Sequence, residues 1–188
     1  MTKLTLALAA FTILAPTSSQ ANPIRGAVLS AGQLSAIKHF LRADLAETQR
    51  DEHEYQKSFP GNYLRFGAAH LPGTDITLIF LEGGTVCGSG GCSMYILKHT
   101  HSSFKDIGDI SDPILTPITV LNRKHHGMPD IGVWSRLYAS SGPVSYQTVL
   151  RFDGQKYRLQ TRVSLARDIP RMKGAMLISD KDIRIPVF

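Results

Sequence analysis

The sequence predicts an α+β fold: an N-terminal amphipathic helix packed on a mainly antiparallel, twisted sheet of six or seven strands. Three observations lead there. Ser30-Ala31-Gly32-Gln33 has the S-x-x-Q form of a capping box, and Leu34, Ile37, Leu41 and Leu45 follow at helical spacing. From Tyr63 onward the pattern changes to short apolar or alternating runs separated by Gly, Pro, Asn and Asp. The helix comes first and the strands follow as a block, which is the α+β arrangement and not a βαβ alternation.

The elements are justified in order. Lys3 opens a short positive region, Leu4 to Leu14 is an apolar run, and Ser19-Gln20-Ala21 fits a small-x-small cleavage pattern. Residues 1–21 therefore read as a secretory signal peptide, the run being too short for a membrane-spanning helix of about 20 residues. Residues 22–188 read as one globular α+β domain, long enough to bury a core. The expected destination is the periplasm or the exterior, where a cysteine pair oxidises.

The helix is expected from about Gln33 to Arg50, with Lys38, Arg42, Glu47 and Arg50 on its wet side and an extension into the DEHEYQK stretch. Phe59-Pro60-Gly61-Asn62 ends it. Tyr63 to Phe66 is a short candidate strand. Ile76 to Leu81 is apolar on both faces and reads as a central strand, with Ser93 to Lys98 as its hairpin partner. Ile118 to Leu121, Ile131 to Tyr138, Tyr146 to Phe152, Lys156 to Leu165 and Ile183 to Val187 complete the set, and Pro186 marks an edge or an end.

Cys87-Gly88-Ser89-Gly90-Gly91-Cys92 is the most specific motif. A four-residue loop would set the two cysteines opposite each other at a hairpin mouth, about 4.5–5.5 Å apart at Cα and within disulfide reach. So short a ring contributes only about 2 kcal/mol through chain entropy. A redox site would show C-x-x-C followed by a helix. A metal site would need ligands that Gly and Ser do not supply. A structural clasp and a rigid recognition loop both remain open.

The CGSGGC segment followed by an apolar strand resembles an element of small bacterial exported proteins. Its spacing is similar to the disulfide loop of Ivy-type periplasmic inhibitors of lysozyme. That resemblance implies a loop that enters an enzyme cleft with a histidine and an acid; here Gly88, Ser89, Gly90 and Gly91 fill the ring. Gly127-Met128-Pro129-Asp130-Ile131-Gly132-Val133 and Leu150-Arg151-Phe152-Asp153-Gly154 resemble the turns of FG-GAP-type β-repeats, which implies β-hairpins.

The chain carries a formal net charge of +6. Residues 22–147 hold eleven basic and eleven acidic side chains, whereas residues 148–188 hold nine basic against four acidic. The surplus thus lies at the C-terminal end, where it can attract an anionic partner. Asp153-Gly154 reads as a two-residue hairpin turn, pairing Phe152 with Gln155, Arg151 with Lys156 and Val149 with Arg158. Arg151, Lys156, Arg158 and Arg162 then share one face, and Tyr146, Thr148, Leu150, Tyr157, Leu159 and Val163 the other. Those four cations are the candidate binding residues.

His99-x-His101 could form half of a metal site, and His125-His126 could add to it, but no ordered ligand motif accompanies them. Trp134, Arg136 and Tyr138 would alternate onto one side of a strand, as binding hot spots or as ordinary sheet surface. No G-x-S-x-G, H-E-x-x-H, P-loop or dinucleotide fingerprint is present. No catalytic residue, metal or cofactor is assigned. The function expected is an exported, non-catalytic binding protein, inhibitor-like or immunity-like in one version, that recognises an acidic protein or an anionic envelope polymer. Nucleic acid and a membrane span are not expected. The alternative is an envelope hydrolase, to be recognised by a polar cleft holding His99, His101 or His125 beside a carboxylate.

Overall fold

Strand β2 (Ile76–Glu82) organises the molecule because both of its faces are apolar. Ile76, Leu78 and Phe80 point into one core cluster, and Ile79 and Leu81 into another. A computed structural model of the chain describes residues 29–61, 63–101, 103–140, 142–160 and 174–188. The leader assigned to residues 1–21 lies outside the described residues.

Two helices precede the strands, where one was expected. Helix α1 (Ala31–Asp44) starts in a complete capping box: Gln33 N–H donates to Ser30 Oγ, and Ser30 N–H donates to Gln33 Oε1 at 2.8 Å. The helical path breaks at Leu45, and α2 (Ala46–Ser58) follows. The apolar stripe explains the break. Ile37, Leu41 and Leu45 are buried, but the next positions of the stripe in α2 hold the polar Gln49 and Glu52.

Strands β1 (Arg65–His70), β2, β5 (Met94–His99) and β6 (Phe104–Asp106) join β13 (Ile185–Pro186) in a five-stranded antiparallel sheet, ordered β13-β1-β2-β5-β6. Between β2 and β5 lies a two-stranded ring of β3 (Cys87–Gly88) and β4 (Gly91–Cys92). A second sheet has six strands. Its order is β12 (Gly174–Ile178), β8 (Leu115–His125), β9 (Met128–Ala139), β10 (Gly142–Phe152), β11 (Tyr157–Leu159) and β7 (Gly108–Asp109). Among the described residues only the β11–β7 pairing is parallel.

The fold is thus α+β, but the single sheet expected is two. Ile131, Val133 and Leu150 of the second sheet share a core with Leu78, Phe80, Met94 and Ile96 of the first. On the other side of the first sheet, Ile37, Leu41 and Leu45 meet Phe66, Ile79, Leu81 and Leu97. Arg42 Nε donates to Val187 O at 2.9 Å and ties α1 to the C-terminal strand. Among the described residues no helix is long and apolar enough to cross a membrane.

Helix α2 has one buried side chain, Glu52. Its Oε1 accepts from Leu64 N–H at 3.1 Å and Gln56 Nε2 at 3.0 Å, and its Oε2 accepts from Thr85 N–H at 3.1 Å. A polar helix is thereby pinned to the turn that leads into the ring. Gly84, at φ 55°, is needed there: a Cβ would overlap the Glu52 carboxylate.

Candidate functional site

Cys87 and Cys92 are disulfide-bonded, with Cα atoms 4.1 Å apart. The ring is fixed on its outer side too. Cys92 N–H donates to Ile114 O at 2.8 Å, and Ile114 N–H donates to Cys92 O at 2.9 Å. Gly91 lies so close to the Ile114 backbone that a Cβ would sit 2.5 Å from its carbonyl oxygen. Beside the ring is a cleft of about 320 Å³ whose lining includes Ser93, Met94, Tyr95, Asp106, Asp112 and Pro113. Tyr95 is held from behind. Its hydroxyl donates to Asp44 Oδ2 at 2.7 Å, and its ring meets Phe40 edge-on at 5.9 Å. Burial and the Asp44 bond both push the Tyr95 hydroxyl above the ordinary tyrosine value. Asp106 Oδ1 accepts from Gly108 N–H at 2.9 Å and Ile96 N–H at 3.3 Å. Desolvation nonetheless holds this carboxyl above the ordinary aspartate value.

The basic hairpin differs in register from the expectation. Phe152 pairs with Tyr157, Arg151 with Arg158 and Leu150 with Leu159. The turn spans Asp153 to Lys156, not two residues, and Lys156 moves from the strand into it. Asp153 is the reason. Its Oδ1 accepts from Gln155 N–H and Lys156 N–H, each at 2.8 Å, while its own N–H donates to Lys156 O at 2.9 Å. A carboxylate that gathers two amides makes a longer turn than Asp-Gly alone implies. These amide bonds, with Arg158 as a further contributor, hold the Asp153 carboxyl well below its ordinary value of 3.8.

That depression fixes a pH dependence. A carboxylate whose folded pKa is lowered stabilises the fold fully above its unfolded value, and the contribution is lost as pH falls through the folded one. Amide exchange at Gln155 and Lys156 is therefore expected to stay slow down to about the ordinary aspartate value and to accelerate below it. Asp153→Asn should remove this acid step. Unchanged protection in that variant, measured by NMR, would contradict the assignment.

Arg158 is bonded on both sides. Its Nε donates to Asp153 Oδ2 at 2.6 Å, and its Nη1 donates to Asp109 Oδ2 at 2.9 Å. Lys156 stands exposed at the turn. Arg162 lies outside the described residues. Arg151 belongs to a different group, built around Asp130.

Asp130 is fully buried on β9. Strands β8 and β9 meet at a turn through His126 (φ 48°) and Gly127 (φ 78°), which sets His125 opposite Met128. A bulge in β8 between Val120 and Lys124 then brings Arg123 and His125 to the same carboxylate. Arg123 Nε donates to Asp130 Oδ2 at 2.7 Å, and His125 Nδ1 is 2.7 Å from Asp130 Oδ1. Arg151 Nε is 3.9 Å from Oδ2 and, although buried, has no hydrogen-bond partner. The Tyr157 hydroxyl donates to Pro129 O at 3.0 Å nearby, and burial followed by the Asp130 charge pushes its pKa up.

Two guanidinium groups and an imidazole thus share one carboxylate. Arg123 is anchored through Nε and 57 % exposed, so its terminal nitrogens face water. The arrangement can accept an anionic group without neutralising itself first.

The sequence reading missed Arg123 and Asp130. A signal for them was present: counting back from the loop at Ser140–Ser141 sets Asp130 opposite Arg151, an opposite-charge cross-strand pair. Of the other histidines, His99 packs edge-on against Phe104 at 4.4 Å, and His101 is exposed. Among the described residues no group of three or more His, Cys, Asp or Glu is placed to hold a metal ion. Trp134 pairs with Gln147 across β9 and β10 and is partly buried, while Arg136 is exposed. His125 does stand beside a carboxylate, but the cleft at the ring contains no histidine. Set beside known proteins, the chain matches no family model, no curated protein and no solved structure.

Proposed function

We propose that the chain is an exported binding protein without catalytic activity, whose charged face across β8 to β11 engages anionic groups on an acidic protein surface or an envelope polymer. One observation carries the reading: Arg123, Arg151 and His125 crowd a single buried carboxylate, and Arg151 Nε pairs with it only at 3.9 Å, without a hydrogen bond. A buried donor with no acceptor is uncommon in a finished site. Lys156 adds an exposed charge at the adjoining turn. Arg158 serves the same face by fixing that turn, and Arg162 follows it in the sequence. The leader-like residues 1–21 and the oxidised ring support export. An inhibitor-like or immunity-like role is the version favoured by a ring bonded on both sides.

The test is binding to dextran sulfate against neutral dextran at several salt concentrations. Arg151→Glu with Lys156→Glu should weaken sulfate-polymer binding by about tenfold or more and flatten its salt dependence. Equal binding by wild type and variant would refute the reading. The His125–Asp130 contact at 2.7 Å supports a second one, hydrolysis with His125 as base. Asp130 would fix the tautomer and leave Nε2 outward. Turnover of an envelope substrate that vanishes in His125→Gln would select it.

A further inference from the structure

The outer edge of β5 is hydrogen-bonded at every second residue except one. Leu81 N–H donates to Ser93 O, and His99 N–H donates to Asp75 O, so odd-numbered residues direct their main chain toward β2. Even-numbered residues then face the other edge. There Cys92 exchanges two bonds with Ile114, Ile96 O accepts from Ile107 N–H at 2.8 Å, and Lys98 pairs with Lys105. Met94 is the exception. Among the described residues no protein group bonds its N–H or C=O on that edge, where the residue lines a cleft. Main-chain groups left open on a sheet edge can pair with an added strand.

The gap has a covalent cause. The stretch from Ile107 to Ile114 is longer than the stretch from Cys92 to Ile96 that it flanks, so residues 108–113 bow outward. The bow and the disulfide ring enclose the cleft. Asp106 and Asp112 line it, and among the described residues no Lys, Arg or His does. Gly88, Gly91 and Gly108 leave its backbone bare, and Tyr95 lines it beside them.

We propose that this cleft docks a short extended peptide segment carrying a basic side chain. The peptide main chain supplies Met94 with its missing donor and acceptor, as a strand does when it adds to an open edge. The ammonium or guanidinium meets the carboxylates of Asp106 and Asp112, and its alkyl stem lies along Tyr95. A cation arriving at Asp106 also favours its charged form against the desolvation that raises this carboxyl, which Lys156, outside the lining, offsets only weakly. The site is distinct from the Asp130 cluster and has the opposite charge preference.

The experiment is an NMR titration of the oxidised full chain with N-acetylated, C-amidated tripeptides Ala-Lys-Ala, Ala-norleucine-Ala and Ala-Glu-Ala, and with spermidine. The lysine peptide should shift the Met94 amide saturably and bind about tenfold tighter than the norleucine peptide, as a charge-assisted bond requires. Asp112→Asn and Asp106→Asn, which each keep an oxygen acceptor, should erase that difference while the remaining spectrum stays native. Three results would overturn the proposal: no saturable shift at Met94 with any peptide, equal binding of the glutamate peptide, or spermidine binding as tightly as the lysine peptide.

Discussion

Replacing Arg123 by Met together with His125 by Leu should destabilise the fold by about 3–5 kcal/mol, the largest loss expected from a change of surface-reaching residues. The argument rests on what stays behind. Asp130 is fully buried, and its two short bonds come from those side chains. With both gone, a buried carboxylate faces only Arg151 Nε at 3.9 Å. Burying an uncompensated charge costs several kcal/mol even after relaxation. The converse change is milder. Asp130→Asn in the wild-type background leaves cations that can turn toward water, since Arg123 is 57 % exposed. Urea unfolding of the double variant, and of the triple variant that adds Asp130→Asn, checks the claim. The triple variant should recover most of the loss. Equal stabilities for double and triple variants would show that packing, not the stranded charge, was responsible.

Glu52→Ala is expected to cost about 3 kcal/mol, because the amides of Leu64 and Thr85 lose their acceptor in a buried site. For a chain of this size the melting temperature should fall by about 6–12 °C. Glu52→Gln keeps one oxygen but turns an amide group toward a second donor, so it should fall between wild type and alanine. Gly84→Ala should act on the same contact from the other side, because its Cβ would occupy the place of the carboxylate. The double variant Glu52→Ala/Gly84→Ala would then lose less than the sum of the singles. Strict additivity in thermal melts would mean that the two residues do not share one site.

Much of this architecture can be read along the chain. The capping box at Ser30, the doubly apolar run of β2 and the cysteine ring each express a local rule, and local rules survive folding. Sheet partnership does not work that way. Alternation tells which side chains share a face, and it sorted Arg151 and Arg158 correctly from Leu150 and Tyr157. It does not tell which sheet a strand joins, so two layers were read as one. The hairpin register failed for a chemical reason, the capture of two amides by Asp153. Glu52 was hidden among charged neighbours. Its burial depends on a turn more than thirty positions later, which no periodicity in α2 announces. Met94 is a parallel case. Its side chain belongs to the core by pattern, while its unmet main chain follows only from the bow of residues 108–113.

Ile107 stands between β6 and β7, at the point where the chain leaves one sheet for the other. Its N–H donates to Ile96 O at 2.8 Å and its C=O accepts from Tyr157 N–H at 2.7 Å. A single residue is therefore a rivet through both layers. Separating the layers must break one of the two bonds that this residue makes. Heat or denaturant should thus take the protein apart in a single step and leave no half-open sandwich to expose its inner faces.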